Sequence, residues 1–173
     1  MKYSFITYPD VNNGLGCRVT LWVSGCPHHC EGCHNPETWN FNFGKEFTTD
    51  TKDTLFNILS NEYIKGLTIS GGEPLCIENQ KNVLEVINEV KNLFPNKDIW
   101  VYTGYTLEKL ISLEDLDKDT LIYKILSNID VLVDGKFKLN LRDVSLAFRG
   151  SSNQRVIDVK KSLDKRKVIT LDV

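Results

Sequence analysis

Four apolar, β-branched stretches recur along this chain, and each stops at a glycine. They are Arg18–Ser24 before Gly25, Gly66–Ser70 before Gly71, Ile99–Thr103 before Gly104, and Ile129–Val133 before Asp134-Gly135. High β propensity and abrupt ends mark them as strands. Stretches of helical period lie between them. Thr51–Asn61 carries Leu55, Ile58 and Leu59 on one face, with Thr49 or Asp50 as its cap. Asn79–Phe94 carries the stripe Val83, Val86, Ile87, Val90 and Phe94. Thr106–Ile111 reads as a short helix and Asp119–Ser127 as another, with Leu121, Ile122, Ile125 and Leu126 inward. Strand and helix in alternation mean a parallel sheet with right-handed crossovers. Each such unit takes about 30 residues, so a chain of 173 residues is too short for the eight units of a closed barrel. It has room for about four or five, and the expectation is an α/β fold: a partial, open-sided barrel of mostly parallel strands, in one domain spanning 1–173.

The flanks are less regular. Lys2–Tyr8 reads as a strand, and Asn12-Asn13-Gly14 as a turn. His34–Phe47 reads as a long flap whose rings, Trp39, Phe41, Phe43 and Phe47, pack on the core or shield a site from water. Lys136–Asn153 reads as a long loop, and Arg155–Val159 and Lys167–Asp172 as short strands. A net charge of −2 presents no basic field for nucleic acid. The run Lys160-Lys161 with Lys165-Arg166-Lys167 is broken by Asp164 and reads as a solvated face. No apolar run approaches a membrane span of about 20 residues, and Met1–Asp10 has no signal-peptide core. The expectation is a cytoplasmic protein that binds neither nucleic acid nor membrane.

In that reducing compartment clustered cysteines mean metal rather than disulfides. Cys26, Cys30 and Cys33 stand in a C-x3-C-x2-C spacing just past the carboxyl end of a strand, where α/β sheets place their sites. Soft thiolates suit an iron–sulfur cluster, zinc or copper(I). Two readings of the local pattern stand. Three thiolates without a fourth leave a metal position open for chemistry, or His28, His29 or His34 closes a Cys3His zinc site. Cys17 and Cys76 stand apart and read as small core residues.

One unit further on, Gly71-Gly72-Glu73-Pro74 ends the next strand. Its glycines permit close backbone approach and positive φ, and Pro74 fixes the exit. With the cysteine loop on the neighbouring strand, the chain resembles the radical S-adenosylmethionine enzymes, and within them the small activating enzymes that install glycyl radicals. The likeness runs nearly end to end, through Asn13–Arg18, Val23–Cys26, Gly32–Asn35 with Thr38-Trp39, Ser70–Leu75, Trp100–Tyr105, Asp130–Phe137 and Arg149–Gln154. The last two blocks point to the branch that serves anaerobic ribonucleoside-triphosphate reductases. Leu15 departs from the proline common there, and Gly32 from the aromatic of the wider superfamily.

The resemblance implies a radical S-adenosylmethionine oxidoreductase. Cys26, Cys30 and Cys33 would ligate a [4Fe–4S] cluster, and the fourth iron would take the amino and carboxylate groups of S-adenosyl-L-methionine. Gly71 and Gly72 would receive the methionine amino group, with Glu73 adding an acceptor or holding the turn. Gly32, Cys33 and His34 would form the loop side of the nucleotide pocket. Thr103 and Asp134 end strands on the same rim, where Asp134 would bind a cation or the ribose, or cap a turn. Reduction by a flavodoxin-like donor would yield methionine and a 5′-deoxyadenosyl radical. That radical would take hydrogen from a glycine in the large subunit of the reductase, docked near Lys136–Asn153. The alternatives are an activase of pyruvate formate-lyase type and a non-enzymatic zinc module.

Overall fold

The computed structural model describes residues 1–173. Its strands are β1 (Lys2–Asp10), β2 (Arg18–Val23), β3 (Lys45–Glu46), β4 (Gly66–Gly71), β5 (Asp98–Tyr102), β6 (Val131–Asp134) and β7 (Arg155–Asp158). The helices are α1 (Thr49–Leu59), α2 (Ile77–Leu93), α3 (Leu107–Leu110), α4 (Leu121–Ser127) and α5 (Val159–Lys165). All strands join one open sheet in the order β3-β1-β2-β4-β5-β6-β7. The fold is mixed α/β.

Parallel pairing is confined to the centre, β2-β4-β5-β6. The β1-β2, β1-β3 and β6-β7 pairs are antiparallel. The four glycine-terminated stretches are therefore the parallel strands, and the flanks reverse direction. The first reversal is made by the Val11–Cys17 loop. There the Asp10 carboxylate accepts from the Asn12 N–H at 2.8 Å and the Asn13 amide at 2.7 Å, and Gly14 and Gly16 take positive φ. No helix is long and apolar enough to cross a membrane.

Side chains alternate across the sheet with the period of two that strands impose. One face is apolar: Val19, Leu21 and Val23 of β2, Leu67 and Ile69 of β4, Ile99 and Val101 of β5, and Leu132 of β6. Onto it pack Leu55, Ile58 and Leu59 of α1 and Val83, Val86, Ile87 and Val90 of α2, the stripes expected from helical spacing. The other face is mostly polar and carries Arg18, Thr20, Trp22, Thr68 and Ser70. There Arg18 is fully buried. It pairs with Asp98 at 2.6 Å, donates to Thr68 Oγ1 at 2.8 Å, and lies over the Trp100 ring at 5.3 Å. Trp100, Val131, Val133 and Val156 form a small apolar cluster on this side.

The basic stretch after β7 is a solvated face, with Lys160, Lys161, Lys165, Arg166 and Lys167 exposed, and most of it forms helix α5, which the Asp158 carboxylate caps through the Lys161 N–H. Two local expectations are corrected. The cap of α1 is Thr48, whose hydroxyl accepts from the Thr51 N–H. Lys167–Asp172 is not a strand: α5 takes up the chain before it, and a lone bridge from Thr170 to Ile157 remains. The Pro36–Trp39 turn interrupts the long flap, and β3 pairs with β1 beyond it. Phe47 then packs edge-on against Tyr3 at 5.8 Å, while Phe41 and Phe43 stay partly exposed.

Candidate metal centre and ligand cavity

The cysteine loop leaves β2 through Gly25 at φ 94°. A Cβ there would fall 2.2 Å from the Phe41 ring, so the flap can close over this bend only if the residue is glycine. The loop is pinned by the Gly25 N–H to the Thr38 carbonyl at 2.8 Å and the Cys26 N–H to the Trp39 carbonyl at 3.2 Å. Farther along, the Cys33 N–H reaches the Cys30 carbonyl at 3.1 Å. His29 takes positive φ and its ring stacks on Trp39 at 4.8 Å. Phe137 and Leu139 lie against Gly32, where a Cβ would come within 2.9 Å of Leu139.

All five cysteines are free thiols. Cys26 is buried, and that burial pushes its thiol up to about 11 against the opposing His28 and His29 amides. Burial also raises Cys30, with the neighbouring Cys33 acting in the same direction. Thiols raised in this way hold their protons at neutral pH, so a metal must displace protons to bind. No three Cys, His, Asp or Glu side chains converge as the ligands of one ion would. Cys76 stands at the N-cap position of α2 without a side-chain capping bond, and burial pushes its thiol up to about 12.

Cys26, Cys30 and Cys33 line one cavity of about 760 Å³ together with Gly32, His34, Gly71 and Gly72. It opens over the polar face of the sheet, where Trp22, Ser70 and Tyr102 also line it. The Arg142–Gly150 segment roofs it. Such a volume lies within the range of small-molecule sites.

Gly71 and Gly72 are glycines for a reason other than ligand approach. A Cβ on Gly71 would meet the Val23 backbone at 2.5 Å, and one on Gly72 the Gly25 carbonyl at 2.5 Å. The Gly72 N–H donates to the Val23 carbonyl and the Glu73 N–H to the Gly25 carbonyl, each at 2.7 Å. The two loops are thus stitched backbone to backbone. Asn79, in the first turn of α2, adds bonds from its amide to the Ser24 and Glu73 carbonyls at 3.0 and 3.1 Å.

Glu73 is fully buried and does not line the cavity. Oε1 accepts from the Leu75 N–H at 2.9 Å and Thr103 Oγ1 at 2.8 Å. Oε2 accepts from the Gly104 N–H and His28 Nε2, each at 2.7 Å. A carboxylate only accepts, so His28 Nε2 carries the hydrogen. Of the two roles foreseen for Glu73, the geometry has it holding the turn, with both oxygens spent inside the protein. Gly104 makes room for the imidazole, since a Cβ there would lie 2.3 Å from His28 Cδ2. Asp134 is likewise buried away from the cavity. It accepts from the Leu107 N–H at 2.8 Å and Arg155 Nε at 2.9 Å, which is a cap and an ion pair rather than an open ligand position.

Three supporting residues were not read from sequence: His28 as the partner of Glu73, Asn79 and Gln154. The Gln154 amide folds the roof segment back, accepting from the Gly150 and Ser151 N–H groups at 2.9 and 3.1 Å and donating to the Gly135 carbonyl at 2.9 Å. Its place in a dense polar block, Arg149–Gln154, was the available signal.

The thiol donors fit an iron–sulfur group in softness and number. A family model described as a 4Fe–4S single cluster domain matches residues 12–157. The chain is similar to the anaerobic ribonucleoside-triphosphate reductase-activating protein of Enterobacteria phage T4, 44% identical over 156 residues, or 90% of this chain and 93% of the relative. Its counterpart in Escherichia coli K12 is 44% identical over 86% of this chain and 94% of its own. That of Haemophilus influenzae is 46% identical over 85% and 92%.

Proposed function

The chain belongs to the 4Fe–4S single cluster domain family and to the anaerobic ribonucleoside-triphosphate reductase-activating proteins, and from that membership we propose that it generates a glycyl radical on such a reductase. In this reading Cys26, Cys30 and Cys33 hold a [4Fe–4S] cluster, and the sheet is the partial barrel of a radical S-adenosylmethionine enzyme in a single domain. When bound, the cluster would supply one electron to the sulfonium of S-adenosylmethionine, the chemistry that would release methionine and provide a radical able to take hydrogen from the reductase glycine. A flavodoxin-like one-electron donor restores the cluster, and the work takes place in the cytoplasm.

The observation that carries the reading is the sharing of one cavity by three thiols and the Gly71-Gly72 turn, brought together from the carboxyl ends of adjacent parallel strands. The thiols take the cluster. Carbonyls of the glycine turn suit an ammonium group, which has only donors to offer. Gly32 and His34 wall the nucleotide on the loop side. Glu73 positions the turn and His28 without meeting the ligand. A closed zinc site is disfavoured, because no three Cys, His, Asp or Glu side chains converge on one point as the ligands of a single ion would.

Anaerobic reconstitution tests the proposal. Iron and sulfide at about four each per chain are expected from cluster ligation. Reduction is expected to release methionine and 5′-deoxyadenosine, and the reductase subunit to show a glycyl radical by electron paramagnetic resonance. Alanine at any one of Cys26, Cys30 or Cys33 is expected to abolish cleavage. A radical formed on a pyruvate formate-lyase subunit but not on the reductase would transfer the assignment to that branch.

A further inference from the structure

The peptide unit between Lys136 and Phe137 is held from both sides. The chain leaves β6 through Gly135 at φ 99°, and the polar block after the roof then fixes it bond by bond. The Gln154 amide donates to the Gly135 carbonyl and the Asn153 amide to the Lys136 carbonyl, each at 2.9 Å. The Lys138 N–H donates to Ser151 Oγ at 3.2 Å. Ser151 is fully buried, and its hydroxyl donates in turn to Asn153 Oδ1 at 2.9 Å. That bond fixes which end of the Asn153 amide meets the Lys136 carbonyl. The Phe137 N–H is spent differently. Burial lifts the Cys30 thiol, while the Lys136 ammonium and a hydrogen bond from the Phe137 N–H pull against that burial.

A trans peptide is planar and points its C=O and N–H in opposite directions. One unit therefore takes Asn153 on its oxygen side and Cys30 on its nitrogen side. Hydrogen bonds in such a chain polarise and strengthen one another. Side chains of the same segment keep it against the cysteine loop. A Cβ on Gly32 would stand 2.9 Å from Leu139 and 3.4 Å from the Phe137 ring. Phe137 lines the cavity with the three thiols, and Asn153 does not. Asn153 thus reaches the thiol only through the peptide it holds. Hydrogen bonds to the sulfurs of an iron–sulfur group help to set its reduction potential. A donor favours the reduced state, because reduction adds negative charge that the sulfurs share.

We propose that Asn153 is a positioning residue for the metal centre: it turns the Lys136–Phe137 peptide so that the Phe137 N–H stays on the Cys30 sulfur and raises the potential at which a bound cluster accepts its electron. This rests on the cluster reading above. It assigns part of the control of that potential to a residue that lies outside the cysteine loop and touches no ligand. The step concerned is a one-electron transfer. The donor is oxidised, the cluster is reduced, and no bond forms or breaks.

The test is a redox titration of the reconstituted full chain, followed by electron paramagnetic resonance, in wild type, Asn153→Ala and Asn153→Leu. Both variants remove the donor without adding charge, and leucine keeps the volume. Iron and sulfide per chain are expected to match wild type, since the three cysteines stand. The reduction equilibrium is expected to fall about three- to tenfold, the worth of one hydrogen bond, or about 28–59 mV at 59 mV per tenfold for one electron. Resonance Raman is expected to show a shifted iron–thiolate stretch, a signature that a purely structural asparagine would not move. Variants that load the cluster and keep the wild-type potential overturn the assignment, even where their melting temperatures fall. A raised potential overturns it as well. So does loss of the cluster from both variants, because a residue that only aims one N–H leaves the three thiolates in place. Wild-type protein that takes up no [4Fe–4S] cluster overturns the cluster reading and this assignment with it.

Discussion

Glu73 shows what one side chain does for the site and why its sequence context concealed it. In Gly71-Gly72-Glu73-Pro74 a carboxylate at a strand end reads as a ligand acceptor or as a turn brace, and nothing local decides between them. The decision comes from Thr103 and Gly104, which lie about one strand–helix unit later, and from His28 on the cysteine loop. Glu73 joins all three to its own turn through four hydrogen bonds. Glu73→Gln is expected to cost about 3 kcal/mol, since the new amide must turn a donor toward donors already in place and leave buried groups unpaired. Thr103→Val removes one neutral bond and is expected to cost only about 1 kcal/mol. Urea denaturation of the two variants measures both. Equal and small losses would mean that the carboxylate is not the brace described. That Cys26, Cys30 and Cys33 lie together on one loop was, by contrast, legible at once, because thiol spacing is a purely local property.

At the level of elements, the glycine-terminated strands and the stripes of α1 and α2 were legible because period and punctuation are written along the chain. The polar face was written there too. In RVTLWV and LTIS, Arg18, Thr20, Trp22, Thr68 and Ser70 alternate with the core residues, and period two sends them all to one side. Helix α5 was hidden because its lysines read as surface, while its cap Asp158 belongs to the preceding strand. The direction of β7 was hidden as well, since it depends on what meets Arg155. That guanidinium spans Asp134 at the end of β6 and Glu108 of α3, the latter through paired bonds of 2.9 and 2.7 Å. Its hydrogen bonds hold the Glu108 carboxyl down at about 2, against an ordinary value of 4.5. A carboxyl lowered in the folded state contributes stability that is full above its unfolded value and fades as pH falls through its folded one. The window is therefore pH 4.5 down to about 2. Glu108 is half exposed, so solvent weakens the effect. Arg155→Gln is expected to be less stable than wild type at neutral pH. Thermal melts across the window are expected to show the gap narrowing toward pH 2 as Glu108 protonates. A gap constant over that range would remove the pin from the account.

For the molecule as a whole, the question is whether the fold waits for its inorganic group. A small zinc module is unfolded without metal, because its ligands supply the folding energy. Here the apolar face of the sheet and its helices bury a cluster of 24 residues, each large one worth about 1.5–3 kcal/mol. The cysteine loop stands outside that cluster, tied on by backbone bonds from Gly25, Cys26, Gly72 and Glu73 that involve no sulfur. Of the three thiols only Cys26 is buried. Truncating all three to alanine therefore removes one buried sulfur and costs about 1 kcal/mol by small-volume core substitution. For a chain of this size that shifts the melting temperature by about 2–4 °C. The triple variant is expected to bind no iron and to cleave no S-adenosylmethionine, yet to keep its far-UV circular dichroism and a single cooperative transition. The two readouts separate two kinds of protein. One is a sheet that presents a site at its edge, and the other is a site around which a chain condenses. Loss of the cooperative transition in the triple variant would place this chain in the second class and make the alternation of strands and helices secondary to its metal.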